Sequence, residues 1–258
     1  MAKTIFITGA SRGFGKLWAE ALLQRGDKVV ATARNLSALD DLVYKYGDSI
    51  LPLQLDVNDR AADFAAISKA KEHFGSIEET TEQEAREQME TNFFGLLWLS
   101  QAVLPVMREQ GYGHIIQLSS VLGLVTLPVL GLYNASKFAV EGLSETLAAE
   151  VKGFGINVSL IEPNGFATDW AGASAAQTVA MPEYDAVRAA FQAGLNDDDI
   201  FGVPEATTDA VLKLIDTENP PLRLFLGKHA YPWVKQTYEG RAAEWDSWNE
   251  VAAAAHGK

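Results

Sequence analysis

Short apolar runs alternate along the chain with longer segments whose apolar residues recur every three or four positions. The short runs predict buried strands, and the recurring pattern predicts amphipathic helices. Their alternation is typical of an α/β domain built around a mostly parallel sheet. The predicted strands are residues 3–8, 28–33, 50–55, 114–119, 156–161 and 223–226. The predicted helices are residues 14–25, 37–46, 59–74, 82–109, 133–154, 183–193, 204–216 and 231–254.

No linker, internal repeat or low-complexity segment divides the chain, so we expect one doubly wound domain over residues 1–258. Length alone would also allow two domains, but α/β domains often reach this size. The Ala- and Gly-rich stretch 164–202 follows a predicted strand end, and open α/β sheets bind ligands beyond the carboxyl ends of their strands. We therefore predict a substrate lid there; the alternative is a surface excursion without a role in binding.

Composition narrows the class of function. No apolar run approaches the ~20 residues that span a bilayer, so we expect no membrane segment. A formal net charge of −13 argues against binding to nucleic acid. The absence of cysteine excludes disulfides and cysteine nucleophiles, and it agrees with the cytoplasmic location that we expect. The four histidines are scattered without ligand spacing, so we predict no metal site.

A glycine-rich turn joins the first predicted strand to the first predicted helix, with the spacing Gly-x-x-x-Gly-x-Gly. Glycine permits a sharp turn and lets backbone N–H groups approach a pyrophosphate at a helix N-terminus. The alternative is a tight turn with no ligand. The residues predicted to contact a nucleotide here are Gly9, Ser11, Arg12, Gly13, Phe14 and Gly15.

Tyr133 and Lys137 are four residues apart and would share one face of a helix. There the ammonium favours the ionised phenol, so a hydroxyl with a free pKa of about 10 can act near neutral pH. Ser120, which ends a predicted strand thirteen residues before Tyr133, would hydrogen-bond the same substrate oxygen. Alone, a Tyr-x-x-x-Lys pair is more often a surface pair. With the nucleotide-binding turn, it suggests hydride transfer to or from a carbonyl.

Together and in this order, the two motifs resemble the short-chain dehydrogenase/reductase family of the classical type, over nearly the whole chain. The resemblance implies a Rossmann-like fold and four catalytic residues: Asn92, Ser120, Tyr133 and Lys137. Tyr133 and Lys137 would also contact the cofactor, and Asn92 would hold a water that relays protons to Lys137. The alternative for Asn92 is a packing residue that bends a long helix.

The resemblance also implies contacts at two strand ends. Asp56 would hydrogen-bond the adenine amino group, assisted by the backbone of Val57; alternatively, Asp56 caps the next helix. The segment after the strand 156–161 resembles the family's Pro-Gly turn, but Asn164 replaces the usual glycine. Asn tolerates left-handed backbone angles, so we expect the turn to survive. The cofactor contacts implied in this turn are Pro163, Gly165, Phe166 and Thr168.

The end of the second predicted strand indicates which cofactor binds. An NAD-dependent site usually carries an acid there for the ribose 2′-hydroxyl, but Ala33 holds that position. Arg34 follows it and Arg12 lies in the glycine turn, and two converging guanidiniums suit a 2′-phosphate. The alternative is two solvated surface arginines. We predict NADP(H).

The chain departs from the family between Phe74 and the helix that begins near residue 82. The family has a fourth strand there, in the middle of the sheet, followed by an Asn-Asn-Ala-Gly turn. That turn helps to position the nicotinamide ribose and supports Asn92. Residues 72–81 contain neither the strand nor the turn. Three explanations stay open: the sequence is shorter than that of the natural protein, the chain was engineered, or the protein naturally lacks the strand.

We interpret the chain as an NADP(H)-dependent oxidoreductase acting on a ketone, aldehyde or secondary alcohol. One alternative is a nucleotide-binding protein without turnover; another is an epimerase or dehydratase of the extended branch. The apolar residues Leu122, Leu124, Val125, Leu130 and Trp170 either line a pocket for a lipophilic substrate or belong to the core. The predicted helices 82–109 and 133–154 are apolar on more than one side. In the resembled family this pair packs across a twofold axis, which implies a homodimer or homotetramer.

Overall fold

The computed structural model describes residues 2–55, 72–168, 175–196 and 199–257. The strands are β1 (Thr4–Ile7), β2 (Lys28–Ala33), β3 (Ile50–Gln54), β4 (Glu72–Phe74), β5 (Gly113–Leu118), β6 (Ile156–Pro163), β7 (Ala175–Gln177) and β8 (Arg223–Leu226). The helices are α1 (Gly13–Arg25), α2 (Asp40–Tyr46), α3 (Glu82–Met89), α4 (Gly95–Gln110), α5 (Gly131–Val151), α6 (Asp185–Gly194), α7 (Thr208–Asp216) and α8 (Ala230–Ala254). All six predicted strands are present, with ends shifted by at most two residues.

Six of these strands form two parallel three-stranded sheets, in the orders β1-β2-β3 and β5-β6-β8, and β4 pairs with β7 in a separate two-stranded sheet. Among the described residues, no strand joins β1 to β5, which is where the family's fourth strand would lie. Phe6 on β1 and Leu118 on β5 are correspondingly 47% and 42% exposed. The stretch 72–81, for which the sequence predicted no strand, contains β4, but β4 pairs with β7 and not with β1 or β5.

The prediction of a helix over residues 59–74 is wrong for its last three residues. Residues 72–74 form β4, which pairs in parallel with β7, and Gly75 bridges to Leu130. A partner strand about a hundred residues away satisfies the backbone groups here, so tertiary pairing overrides local helix propensity. The remainder of that predicted helix lies outside the described residues.

The predicted helix 82–109 is interrupted. It begins with the predicted capping box, in which Glu84 N donates to Thr81 Oγ1 and Thr81 N donates to Glu84 Oε2. A π-helical turn over Glu90–Phe94 then separates α3 from α4. Such turns occur frequently at functional sites, and this one contains Asn92. Within the described part of the chain, no helix is both long and apolar enough to cross a membrane.

Candidate active site

The glycine turn between β1 and α1 has a conformation that lets a ligand approach its backbone closely. Gly9 and Gly13 have φ of +65° and +54°, in the left-handed region that favours glycine. A Cβ atom on Gly15 would lie 2.4 Å from the carbonyl oxygen of Gly9, so only glycine fits there. The N-cap residue Arg12 makes no side-chain cap, and the first turn of α1 contains no acid. The N–H groups of that turn are therefore suited to an anionic ligand such as a pyrophosphate.

The predicted acid–base residues lie together where α5 packs against the end of β5. Tyr133, Lys137 and Ser120 are all buried. Lys137 Nζ lies 5.6 Å from the centroid of the Tyr133 ring and donates a hydrogen bond of 3.0 Å to the carbonyl of Leu118. Ser120 follows that carbonyl by two residues, and its Oγ accepts from Leu122 N at 3.1 Å. The Ser120 hydroxyl hydrogen therefore remains available to a substrate oxygen.

Asn92 is connected to the same turn of α5 through Ser136. Asn92 Nδ2 donates to Ser136 Oγ at 3.1 Å, and Ser136 Oγ donates to the Tyr133 carbonyl at 2.8 Å. The π-helical turn thus holds Asn92 against the segment that carries Tyr133 and Lys137. Ser136 is not among the residues predicted from the sequence, although its place between Tyr133 and Lys137 was the available signal.

An apolar wall surrounds Tyr133. Leu122, Leu124, Val125 and Leu130, four of the five residues predicted for a substrate pocket, pack in one buried cluster with Tyr133. Phe191 of α6 packs on the same cluster. The fifth predicted residue, Trp170, lies outside the described residues. The arrangement can shield a reacting carbonyl from water.

The two ends of the stretch 164–202 are hydrogen-bonded to each other. Gly202 N donates to the Gly165 carbonyl at 2.9 Å, and Ala167 N donates to the Gly202 carbonyl at 3.0 Å. The two ends of the predicted lid therefore meet, and β7 and α6 lie between them.

A buried carboxylate outside the lid holds α6 in place. Glu79 accepts hydrogen bonds from Met181 N at 2.7 Å and from Ser76 N at 2.6 Å, and it forms an ion pair with Arg188 of α6. The N–H of Met181, then that of Ser76 and the Arg188 guanidinium, lower the pKa of Glu79 to about 2 against the opposing effect of desolvation. This clamp could not be predicted from a local pattern because its members are far apart in sequence.

The turn after β6 does not use the left-handed backbone that asparagine tolerates, because Asn164 has no positive φ. Instead, Asn164 Nδ2 donates to the carbonyl of Gly165 at 2.9 Å, and its side chain fills the space beside Gly227, where a Cβ would lie 1.7 Å from Asn164 Oδ1. Phe166 packs edge-on against Phe14 at 5.5 Å, which joins this turn to the glycine turn.

The two predicted cofactor-selecting arginines both lie on the surface. Arg34 directly follows β2, and Arg12 precedes α1; both are exposed. Because β1 and β2 run parallel, the two arginines are at the same edge of the sheet. Ala33, at the position where NAD-dependent sites carry an acid, is buried. Asp56 and Val57 lie outside the described residues.

A second buried carboxyl group lies on β6, which packs against α5. Glu162, at the end of β6, is fully buried, and its Oε1 lies 3.3 Å from Arg223 Nε. Arg223 Nε also donates to Glu141 Oε2 on α5 at 3.0 Å, and Arg223 Nη2 donates to Glu145 Oε2 at 2.6 Å. Burial, followed by the charge of Glu141, raises the pKa of Glu162 to about 9, although Arg223 opposes this. Over the described residues, no group of three acidic or histidine side chains could hold a metal.

Comparison with known proteins identifies the family. The family model described as short chain dehydrogenase matches residues 3–178. Oxidoreductase BOA17 of Botryotinia fuckeliana is 36% identical, over 98% of this chain and 99% of that protein. That alignment extends over 272 positions, more than the 258 residues of this chain, so the relative has residues without counterparts here. A 3-ketodihydrosphingosine reductase of Bacteroides thetaiotaomicron is 42% identical, over 64% of each chain.

Solved structures share the fold. A short-chain dehydrogenase from Streptomyces avermitilis superposes with a TM-score of 0.87 at 36% identity, covering 98% of both chains. One from Burkholderia cenocepacia, in complex with NADP, has a TM-score of 0.71 at 25% identity over 95% of this chain and 96% of that one. One from Burkholderia phymatum, in complex with NAD, shares the fold with a TM-score of 0.76 at 22% identity, over 94% and 95% of the two chains. Similar folds therefore bind either nicotinamide cofactor.

Proposed function

Because the chain belongs to the short-chain dehydrogenase/reductase family, we propose that it catalyses NADP(H)-dependent reduction of a ketone or aldehyde, or oxidation of the matching secondary alcohol. The observation that carries this proposal is the buried pair of Tyr133 and Lys137 on α5, with Lys137 Nζ 5.6 Å from the phenol ring. A buried ammonium beside a phenol is an acid–base device, and the same chain carries a turn suited to a nucleotide phosphate.

Each catalytic residue has one task in this proposal. Tyr133 gives a proton to the substrate oxygen in reduction and takes it back in oxidation. Lys137 favours the ionised phenol by its charge and is held by the carbonyl of Leu118. Ser120 donates a hydrogen bond to the same substrate oxygen. Asn92 returns protons from solvent through a water, and its hydrogen bond to Ser136 fixes its place beside α5.

The cofactor would lie along the edge formed by two turns. In this proposal the glycine turn holds the pyrophosphate, and the turn 163–168 holds the nicotinamide. When bound, the nicotinamide supplies or accepts the hydride. The buried Ala33 and the exposed Arg34 and Arg12 favour NADP(H), because guanidiniums bind a 2′-phosphate and no acid is present for a 2′-hydroxyl. The NADP complex of the Burkholderia cenocepacia relative is in line with this choice.

We propose a lipophilic carbonyl as the substrate class. The wall around Tyr133 consists of leucine and valine side chains, and Phe191 of the lid helix α6 packs on it. Closure of the lid by the Glu79–Arg188 clamp would exclude water from the reacting centre. The similarity to a 3-ketodihydrosphingosine reductase, whose name denotes a long-chain ketone, agrees with this class.

A second copy of the chain would cover apolar side chains that α4 and α5 expose. Val106 on α4 is 62% exposed and Phe138 on α5 is 37% exposed, although both helices are largely apolar. Such surfaces are covered in an oligomer more often than left in water. We propose pairing of α4 and α5 across a twofold axis, in a homodimer or a homotetramer.

The alternative function is cofactor binding without turnover. It is favoured by the lack, among the described residues, of a strand between β1 and β5. The two functions are separated by supplying NADPH with a panel of ketones and aldehydes, graded from short to long chains. The oxidoreductase should consume NADPH with at least one carbonyl and prefer longer chains. A protein that binds NADPH in a titration but consumes none with any carbonyl would be the binding module instead.

A further inference from the structure

The last helix leaves the body of the protein halfway along its length. In α8, Ala230 and Val234 are buried and Arg241 is half-buried, but every residue from 242 to 257 is exposed. We refer to residues 242–257 as the α8 arm. Its helical part, up to Ala254, is about 20 Å long at 1.5 Å per residue.

The α8 arm carries an apolar stripe on one face. Trp245, Trp248 and Ala252 follow each other at three- and four-residue spacing, so they lie one above the other. Trp245 and Trp248 are 60% and 66% exposed, and Val251 beside them is 61% exposed. Tryptophan is enriched at the centres of protein interfaces. An isolated helix of this length is marginal in water and needs a surface to pack on.

A matching surface lies at the base of the arm. A cleft of about 650 Å³ runs along the N-terminal part of α5 and is lined mainly by apolar side chains. Its members include Ile77, Leu127, Pro128, Ala135, Phe138 and Arg241. Arg241 thus belongs both to the cleft and to the point where the arm begins. Its guanidinium is the cation of the cleft and is held by the Leu124 carbonyl at 2.7 Å.

The arm cannot enter the cleft of its own chain, because α8 is one continuous helix that leads away from Arg241. An α8 arm that fills this cleft must therefore come from another molecule. On the back of the arm, opposite Trp248, lie Asp246 and Glu250, which would repel nucleic acid or an anionic membrane. Glu244, four residues before Trp248, instead places a carboxylate beside the stripe. An apolar stripe with one adjacent carboxylate fits an apolar cleft that contains an arginine, which is the helix-in-groove mode of recognition.

We propose that the α8 arm docks into the α5 cleft of a second copy of this chain, and that the second copy returns the contact. Both surfaces are present on every chain and meet at Arg241, as a twofold contact requires. The cleft includes Phe138, so arm exchange would extend the proposed α4–α5 pairing along the same side of the molecule.

The available area is sufficient for a stable contact. Since an aromatic side chain buries about 150–250 Å², the exposed stripe of one arm offers roughly 400 Å². Two arms and the two cleft surfaces that they cover would remove on the order of 1,600 Å² from water, which is the size of a standard protein interface.

Disulfide trapping between two variants tests the contact directly, because the chain contains no cysteine. Ala252→Cys places a thiol on the stripe and leaves both tryptophans intact, and Ala135→Cys places one in the cleft. After mixing and mild oxidation, we expect the mixed disulfide to form at least about tenfold faster than in a control mixture, because docking raises the effective thiol concentration. The control pairs Ala135→Cys with Ala254→Cys, which lies two residues along and on the opposite face of the arm.

Equal rates in the two mixtures would overturn the proposal, whether the arm then serves another partner or none. A second readout uses sedimentation of the double variant Trp245→Ala, Trp248→Ala. Its self-association should weaken at least about tenfold, whereas Tyr44→Ala, at a residue 95% exposed on α2, should leave it unchanged. An unaltered association constant in the double variant also overturns the proposal. Neither measurement needs cofactor or substrate, so failure of the proposed oxidoreductase activity would not be mistaken for failure of arm exchange.

Discussion

Replacement of Glu162 by glutamine should stabilise the protein, and more strongly as the pH rises. Glu162 is fully buried opposite Glu141, and among the described residues the cation beside it is Arg223, at 3.3 Å. Burial and then Glu141 raise the pKa of Glu162 from 4.5 to about 9. The folded protein therefore holds this carboxyl in its neutral form at pH 7, and glutamine has the same shape and charge.

The size of the effect follows from proton linkage. Between pH 4.5 and about 9, the folded state keeps a proton that the unfolded state has released, so the free energy of unfolding falls as the pH rises. Each pH unit is worth about 1.4 kcal/mol for one group, so the wild type should lose about 4 kcal/mol between roughly pH 5.5 and pH 8.5. For a chain of this length, 1 kcal/mol changes Tm by about 2–4 °C. The Tm advantage of Glu162→Gln should thus grow by roughly 10 °C over that range.

Thermal unfolding followed by circular dichroism at the two pH values measures this difference. Glu145→Gln is the matched control, because Glu145 binds the same Arg223 but is 62% exposed. Exposed ion pairs contribute at most about 1 kcal/mol, so the control should follow the wild type. If Glu162→Gln instead lowered Tm equally at both pH values, Glu162 would be an ionised partner of Arg223, and the reasoning would be refuted.

Three further substitutions test the cofactor edge and the lid. Arg34→Ala should weaken NADPH binding roughly 10- to 100-fold and leave NADH nearly unchanged; equal wild-type dissociation constants for the two cofactors would refute the assignment. Gly15→Ala should weaken binding of both cofactors, because its Cβ would collide with the glycine turn, whereas Gly142→Ala, in open space on α5, should not. Arg188→Ala should raise KM for carbonyl substrates with little change in NADPH affinity, and the exposed Arg86→Ala should change neither; an unchanged KM in Arg188→Ala would show that the clamp does not position the lid.

The features that the sequence predicted correctly are those encoded locally. The apolar runs of β2 and β8 predicted their bounds, because a buried strand needs a continuous apolar segment. The proximity of Tyr133 and Lys137 followed from helical periodicity alone. The cap at Thr81 followed from the identity of one residue three positions later.

The missed features depend on contacts between distant residues. Met181 and Glu79 are separated by 102 positions, and β4 is a strand only because β7 lies beside it. No local pattern reports such pairings, because each partner alone is compatible with a loop or a helix. The π-helical turn at Asn92 was missed for a related reason: its extra residue is accommodated by packing against α5 and is not required by the local sequence.

The most direct measurement of the central claim is the turnover of Tyr133→Phe with NADPH and the best carbonyl found in the substrate panel. If Tyr133 is the proton donor, the variant should lose about 10²- to 10⁴-fold in kcat, because only the acid–base group is removed. Its NADPH dissociation constant should stay close to that of the wild type. A Tyr133→Phe variant with near-normal kcat would contradict the account.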